Sequence, residues 1–485
     1  MHLLDSTLRP YAWGSRHAIA DLLGREPSGE PEAELWIGAH PDSPSRIADR
    51  HGDGPGLDEI IGEDPKGLLG EATAERFGDR LPFLLKVLAA DSALSLQVHP
   101  SAEQAAAGFD AEESDGVPRS AAHRTYRDRN PKPEMLYPLS DFEALCGFRP
   151  LSDAVATFAF LATAVEPGSP AHDLLDSVAA RLVAGGEEAL RAVFTQLLHA
   201  APGIVKEVAD AVGQIDRREE SAGAAAPGPV SAAVPRRTDD AVVLDLATVR
   251  ELSAQYPEDP GVLVALLLNR VSLRPGEAIY LPAGNVHAYL SGLGIEVMAS
   301  SDNVLRGGLT SKHVAPDELL ETVVFEATAP PTLLPEYTLF DQELYRPPFD
   351  EFQLQRIVLA DSTAGPGHAR PGGSGAGRAG GVTPPAGTTH ADAAPAHVPV
   401  VQNGPVVVLA VSGPILLDTP RSTLSVPRGA SAFVGAAEAP LIVRPAADEH
   451  GATAGPVLAF AVTVGTAGPS DAGVGARDVD GDESR

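Results

Sequence analysis

Residues 275–287 read Pro275-Gly276-Glu277-Ala278-Ile279-Tyr280-Leu281-Pro282-Ala283-Gly284-Asn285-Val286-His287. A proline followed by a glycine is turn chemistry, because one presets φ and the other accepts a positive φ without steric cost. Ala278–Leu281 is then a short apolar strand between turns, and Pro282–Gly284 is a second tight turn. His287 opens a further strand, with Tyr289 on its face. A next strand, Ile295–Ser300, alternates and sends Glu296 to one side and Ile295 and Val297 to the other. A lone histidine in a strand is commonly a satisfied structural residue. The paired turns that aim this one inward make a ligand the better reading.

Two other segments carry similar chemistry. Leu94-Ser95-Leu96-Gln97-Val98-His99-Pro100 alternates strictly, with Leu94, Leu96 and Val98 on one face of a strand and Ser95, Gln97 and His99 on the other. Pro100 ends the ladder for want of an N–H, and Ser101-Ala102-Glu103-Gln104 has capping-box spacing that opens a short helix. The plain reading is a strand with its polar side in water. The functional one places Gln97 and His99, one pleat repeat apart, on a single metal ion. Glu134 follows Asn130-Pro131-Lys132-Pro133, where two prolines hold Lys132 on a stiff, extended segment. This is either a surface turn with a solvated Lys and Glu or a rigid arm for a site.

The rest of the chain bounds what such a site serves. The 485 residues carry a net charge of −30, which argues against nucleic acid and anionic membranes as partners. The single cysteine, Cys146, excludes an intrachain disulfide and a cysteine-built zinc site. The apolar runs Thr157–Val165 and Val262–Leu268 are far shorter than the roughly 20 residues that span a bilayer, and Met1–Pro10 has no signal pattern. A cytoplasmic protein is the expectation. Only five of the 36 basic side chains are lysine, and Lys86, Lys132 and Lys312 fall in the segments singled out here and below. Lysine offers a compact, titratable ammonium that arginine cannot replace.

Residues 1–150 alternate short apolar runs with turns, as β-rich chains do. Ala154–Val165, Leu174–Val183, Glu187–Leu198 and the region near Leu244–Tyr256 have helical spacing, so 151–256 is read as a helical insert with a low-complexity loop near 216–237. Strand signal resumes at Asn269. From 331 to 465 the chain again reads as short strands, interrupted by a Gly/Ala/Pro/His-rich loop over 363–397, and 466–485 is an acidic tail expected to be disordered.

The 275–287 stretch resembles the second half of the cupin signature. Together with Tyr11–Ser15, Glu34–Pro41, Leu81–Val87, Leu94–Pro100, Lys132-Pro133-Glu134, Leu267-Leu268-Asn269 and Glu296–Lys312, it resembles type I phosphomannose isomerase. That resemblance implies a mainly β fold of two cupin-type (jelly-roll) barrels flanking an α-helical domain. Residues 1–150 plus 257–330 would form the catalytic barrel. The region 331–465 would form a second barrel without metal ligands, since its turn Pro427-Arg428-Gly429 leads to Phe433 with no following histidine.

Carried over by position, the resemblance implies one Zn²⁺ per chain on Gln97, His99, Glu134 and His287. It implies a monomer that interconverts mannose 6-phosphate and fructose 6-phosphate through a cis-enediol. Arg306 would stabilise the oxyanions, and Lys132, Glu296 or Asp302 would carry the proton. Tyr289 and Lys312 would line the pocket, with Ser95 and Lys86 near the phosphate. One departure stands out: Pro131 occupies the place of a histidine usual before the Lys-Pro-Glu triplet. A non-catalytic cupin that binds sugar or metal is the rival from another class, and a metal-dependent cupin oxygenase ranks below it.

Overall fold

The computed structural model describes residues 1–48, 54–223, 240–360, 394–446 and 456–466. It is mainly sheet with helices. Eleven strands form one sheet, whose main path carries Glu34–Gly38, Phe83–Ala90, His287–Ala299, Glu134–Pro138 and Ala278–Leu281. Eight strands form a second, in which the first strand of the chain, His2–Asp5, pairs with Ser431–Val434. A third sheet has four strands, all from the C-terminal region. The expected jelly-roll barrels are not traced as closed cylinders: each large sheet runs as an open strand order, with side branches in the eleven-stranded one.

The long strand His287–Ala299 organises the site. Two strands were expected here, but one 13-residue strand crosses the region, with a register shift between Tyr289 and Ser291 that lets it change partners. Its first residues pair with Gln97–Val98 and Phe142–Phe148, its later ones with Phe83–Ala90 and Glu134–Pro138. Period-two alternation then sorts the side chains. Val286, Ala288 and Leu290 join Leu96 and Val98 in one apolar core with Phe158, Leu161, Phe194 and Leu197 of the helices. His287 and Tyr289 face the other way. Further along, Ile295 and Val297 pack with Phe83, Leu85 and Val87 against Phe433 and Phe460 of the eight-stranded sheet. Glu296 and Lys86 project from the opposite face. Both faces are covered, so the whole later half of the strand is buried.

The region 151–256 carries the helices Leu151–Ala164, Pro170–Ala184, Gly186–Leu198, Pro202–Gly223 and Asp240–Gln255. The segment near 216–237, read as a loop from composition, is helical as far as Gly223, and its remainder up to 237 lies outside the described residues. Of the loop over 363–397 and the tail 466–485, only 394–397 and residue 466 are described. Ser101 caps the helix Ala102–Ser114 reciprocally with Gln104, as the spacing predicts, although 13 residues is longer than expected. Among the described residues no helix is long and apolar enough to cross a membrane.

Candidate metal centre

Both turns of the 275–287 stretch form, and the second is tied to the other histidine. Glu277 N–H closes the first turn on the Arg274 carbonyl, and Asn285 N–H closes the second on Pro282. Gly284 has φ +78°, a Cβ there would lie 2.4 Å from the Val324 side chain, and its N–H donates to the His99 carbonyl at 2.9 Å. Only glycine satisfies that geometry. Glu134 opens its strand opposite Leu281 on one side and Met298 on the other. Gln97 lies opposite His287 on one side and Arg306 on the other.

These pairings bring His99, Glu134 and His287 together. One ligand atom from each lies within 4.8 Å of the other two, and all three residues are buried. His99 Nε2 is 3.2 Å from Glu134 Oε1, and His287 Nε2 is 3.5 Å from Glu134 Oε2. The proton positions follow from the other ring nitrogens. His99 Nδ1 is 2.9 Å from the Asn303 carbonyl, and His287 Nδ1 is 3.0 Å from the Asn285 carbonyl. A carbonyl only accepts, so each Nδ1 carries the proton and each Nε2 turns a lone pair toward a carboxylate. His99 Nε2 is buried without a hydrogen-bond partner. Burial holds the His99 pKa down to about 4, with Lys132 adding to the effect against Glu134, so a proton does not complete the group at neutral pH. Glu134 sits well below the usual carboxylate range: its burial is outweighed by the Lys132 ammonium. Two imidazole lone pairs and an ionised carboxylate on one point are a donor set that suits a divalent cation such as zinc. Gln97 is half-buried beside them.

Asn303 was not singled out from sequence, yet it fixes this arrangement. It is fully buried; its side-chain amide donates to the Asp128 and Asn130 carbonyls and accepts from Arg127 N–H, while its own carbonyl takes His99 Nδ1–H. One residue therefore joins the histidine strand to the proline-braced arm. On that arm Lys132 Nζ is 3.1 Å from Glu134 Oε1.

The other candidates fall into three groups. Lys86 is buried between Glu296 at 2.9 Å and Glu34 at 3.5 Å, with its ammonium 5.1 Å from the Trp36 ring. Burial opposes its charge, but Glu296 and Glu34 override that and raise its pKa. Burial and the Glu296 carboxylate push the buried Tyr289 hydroxyl up. Half-buried Arg306 and Arg127 form a cationic patch with the exposed Lys312: partial burial and repulsion among them lower the pKa of Arg306 and Lys312. Ser95 runs beside that patch, since Leu96 and Gly307–Gly308 exchange backbone hydrogen bonds. Asp302 is not one of the converging group; it lies 3.4 Å from His40 Nε2 and 2.9 Å from Arg119, and burial together with Asp42 pushes its pKa up to about 6. His40, Glu34 and Arg127 were also not singled out as site residues from sequence. The polar residue Glu34 at a strand position, two before Trp36, was the available signal for the first of these groups.

A buried His–Glu–His centre on a mainly β scaffold defines a candidate mononuclear metal site. Residues 1–151 match the catalytic domain of type I phosphomannose isomerase. The chain is 40% identical to the mannose-6-phosphate isomerase of Escherichia coli K12 over 363 residues, covering 74% of this chain and 84% of that one. It is 35% identical to the Salmonella typhimurium LT2 enzyme over 445 residues, covering 91% and 96%. A solved Salmonella typhimurium mannose 6-phosphate isomerase bound to substrate and a zinc atom has a TM-score of 0.72 and 31% identity, covering 96% of this chain and all of that one. A zinc-bound mannose 6-phosphate isomerase gives the same score and identity, covering 96% and 99%. The chain belongs to the type I phosphomannose isomerase family.

Proposed function

We propose that this chain is a zinc-dependent aldose–ketose isomerase interconverting mannose 6-phosphate and fructose 6-phosphate. The observation that carries the reading is the convergence of one carboxylate and two imidazoles, each of which turns its Nδ1 to a backbone carbonyl and its Nε2 inward. His99, Glu134 and His287 would hold the metal, with Gln97 as a fourth donor. Bound there, Zn²⁺ would polarise a sugar oxygen as a Lewis acid.

The remaining steps belong to side chains. Isomerisation moves a proton between C1 and C2 and another between their oxygens, and a cis-enediol places negative charge on both oxygens. Arg306, one strand spacing from Gln97, supports a role at those oxygens, where a preorganised cation lowers the barrier most. Lys312 and Arg127, with Ser95 beside them, support binding of the phosphate dianion. Lys86 is already paired with two carboxylates, which supports a role in holding Glu296 and Tyr289 at the pocket wall. Among Lys132, Glu296 and Asp302, the first two are held in buried ion pairs. Asp302, whose pKa burial and Asp42 raise to about 6, keeps 16% of its side chain exposed, so it is the proton carrier in this reading.

The domain layout proposed with this function is a catalytic cupin unit from 1–150 and 257–330, a helical unit from 151–256 and a metal-free β unit from 331–465. A monomer and a cytoplasmic location are proposed with it, the latter supported by a phosphosugar substrate. The decisive experiment is an isomerase assay on zinc-loaded and chelator-stripped protein, with glucose 6-phosphate as the control aldose. Turnover of mannose 6-phosphate only when zinc is present supports the reading. Stoichiometric metal without turnover returns the chain to the non-catalytic class.

A further inference from the structure

We propose that His40 is a positioning residue for the isomerase reaction, its Nε2–H holding the Asp302 carboxylate in the orientation that carries the proton. The inference rests on the assignment of Asp302 made above. Both ring nitrogens of His40 are committed. Asp42 N–H donates to Nδ1 at 3.3 Å, so the single proton of the neutral ring sits on Nε2, and Nε2 faces Asp302 Oδ1 at 3.4 Å. The ring is 2% exposed and stands edge-on to Trp36, with centroids 4.9 Å apart, so it has no freedom to turn away. With neither nitrogen free for substrate, His40 does not stand in for the histidine that Pro131 displaces; it acts through Asp302.

The other half of the grip is Arg119, which bridges Asp302 Oδ2 and Asp42 Oδ1 at 2.9 Å each. Asp302 N–H donates to Asp128 Oδ2, which fixes the backbone beneath it. One carboxylate oxygen thus faces the neutral His40 ring nitrogen at 3.4 Å and the other meets a cation, with the Asp42 carboxyl hydrogen-bonded beside them. The group borders a cavity of about 490 Å³ that it shares with His40 and Arg119. The charged groups around Asp302 are Asp42, Arg119, Asp128 and Lys132, with Asp58, Asp79, Arg80 and Arg127 lining the same cavity. Burial, with the charges of Lys86 and Lys132, keeps the His40 ring neutral by lowering its pKa to about 4, and Asp302 titrates at about 6. A base at Asp302 must be ionised, so kcat/KM falls as pH drops through that value.

The test compares His40→Ala, His40→Gln and Asp302→Asn in zinc-loaded protein. Removing a donor from the charged form disfavours it, so His40→Ala should move the acid limb of kcat/KM upward by about one pH unit. It should also lower kcat about 10- to 100-fold through lost orientation, with zinc content unchanged. His40→Gln, whose amide supplies an N–H in a similar place, should restore most of both. An unmoved limb in folded His40→Ala, an equal loss in both His40 variants, or loss of zinc would each overturn the proposal. Near-normal kcat in Asp302→Asn would remove the Asp302 assignment itself. An inactive Asp302→Asn beside a silent His40→Ala would remove only the role of His40. Should His40→Ala not fold, Arg119→Gln strips the cation from the other oxygen, and a limb that stays in place there overturns the proposal equally.

Discussion

Two buried charge clusters lie on the same sheet, each with a member on the strand His287–Ala299, and they are completed differently. In one, Lys86 sits between Glu296 and Glu34, and Trp36 Nε1–H donates to Glu34 at 2.7 Å. The cation is built into the chain, and the cluster is closed. In the other, Glu134 meets two imidazoles whose protons face outward to carbonyls, so the atoms turned inward are all acceptors. Lys132 balances one oxygen of Glu134 but not the ring lone pairs. A buried set of acceptors without a donor is costly unless a cation enters. The comparison separates charge that maintains the fold from charge arranged for a ligand.

The largest effect should come from breaking the second cluster. Glu134→Gln keeps the shape but exchanges the charged donor for a neutral one. We expect zinc affinity to fall by more than the roughly 100-fold that loss of a mere supporting partner costs, with activity lost alongside. Metal analysis after dialysis checks this; a variant that retains stoichiometric zinc would show that the two imidazoles suffice and that Glu134 resembles the Lys86 cluster more than it differs from it. Arg306→Ala touches neither cluster. It should lower kcat by about 100- to 1000-fold while KM and zinc content change much less. A variant altered mainly in KM would move Arg306 from the oxyanions to the phosphate.

The two clusters also differ in how far the chain's letters disclosed them. His99 and His287 could be singled out because alternation and turn spacing are local, and Glu134 because prolines mark its arm. Lys86, Glu34 and Glu296 were not readable as a cluster, since their partnership depends on the register of three strands distant in sequence. Asn303 and His40 were hidden for the same reason. The fold was legible where periodicity is local, as in the helix capped by Ser101. It was misread where tertiary packing decides: Tyr289–Ile295, with its glycines, suggested a break, but pairing on both sides carries one strand through. The second Pro-x-Gly turn, at Pro427–Gly429, leads into Ser431–Val434 with Phe433 fully buried, so the same turn device there feeds a core and not a site.

Lys86→Met should break the closed cluster and spare the open one. Removing the ammonium leaves Glu34 and Glu296 buried without it, a loss of about 3–5 kcal/mol in unfolding free energy, with zinc still bound. The pH dependence distinguishes the clusters further. Lys86 has a folded pKa above its unfolded one, so its stabilisation is fully present below about 10.4 and is lost as pH rises through the folded value. In metal-free protein Glu134 has a depressed folded pKa and His99 is held neutral down to about 4. The Glu134 stabilisation is present above the ordinary carboxylate range and lost as pH falls through the folded value, and the fold also weakens from about 6.5 downward as unfolded His99 takes up its proton. Urea midpoints across pH should therefore show Lys86→Met losing its difference from the parent protein only in strong alkali, and Glu134→Gln only in acid.

The smallest effect should come from Pro131→His, which tests whether the stiffness of the arm or the chemistry at that position matters. The arm is held mainly elsewhere: the Asn130 carbonyl accepts from Ser301 and Asn303, and Arg80 donates to the Asn130 side chain at 2.6 Å. Pro133 still restricts Lys132 in the variant. Freeing φ at residue 131 then acts mostly through the unfolded chain, at a cost of about 0.4–1 kcal/mol. Zinc content should not change, because no donor and no partner of a donor is touched. If proline at this position only stiffens the arm, kcat stays within a few-fold of the parent. A tenfold rise in kcat would show instead that an imidazole beside Lys132 performs a proton transfer this chain otherwise leaves to water or to Asp302. The site would then be open in its chemistry as well as in its charge.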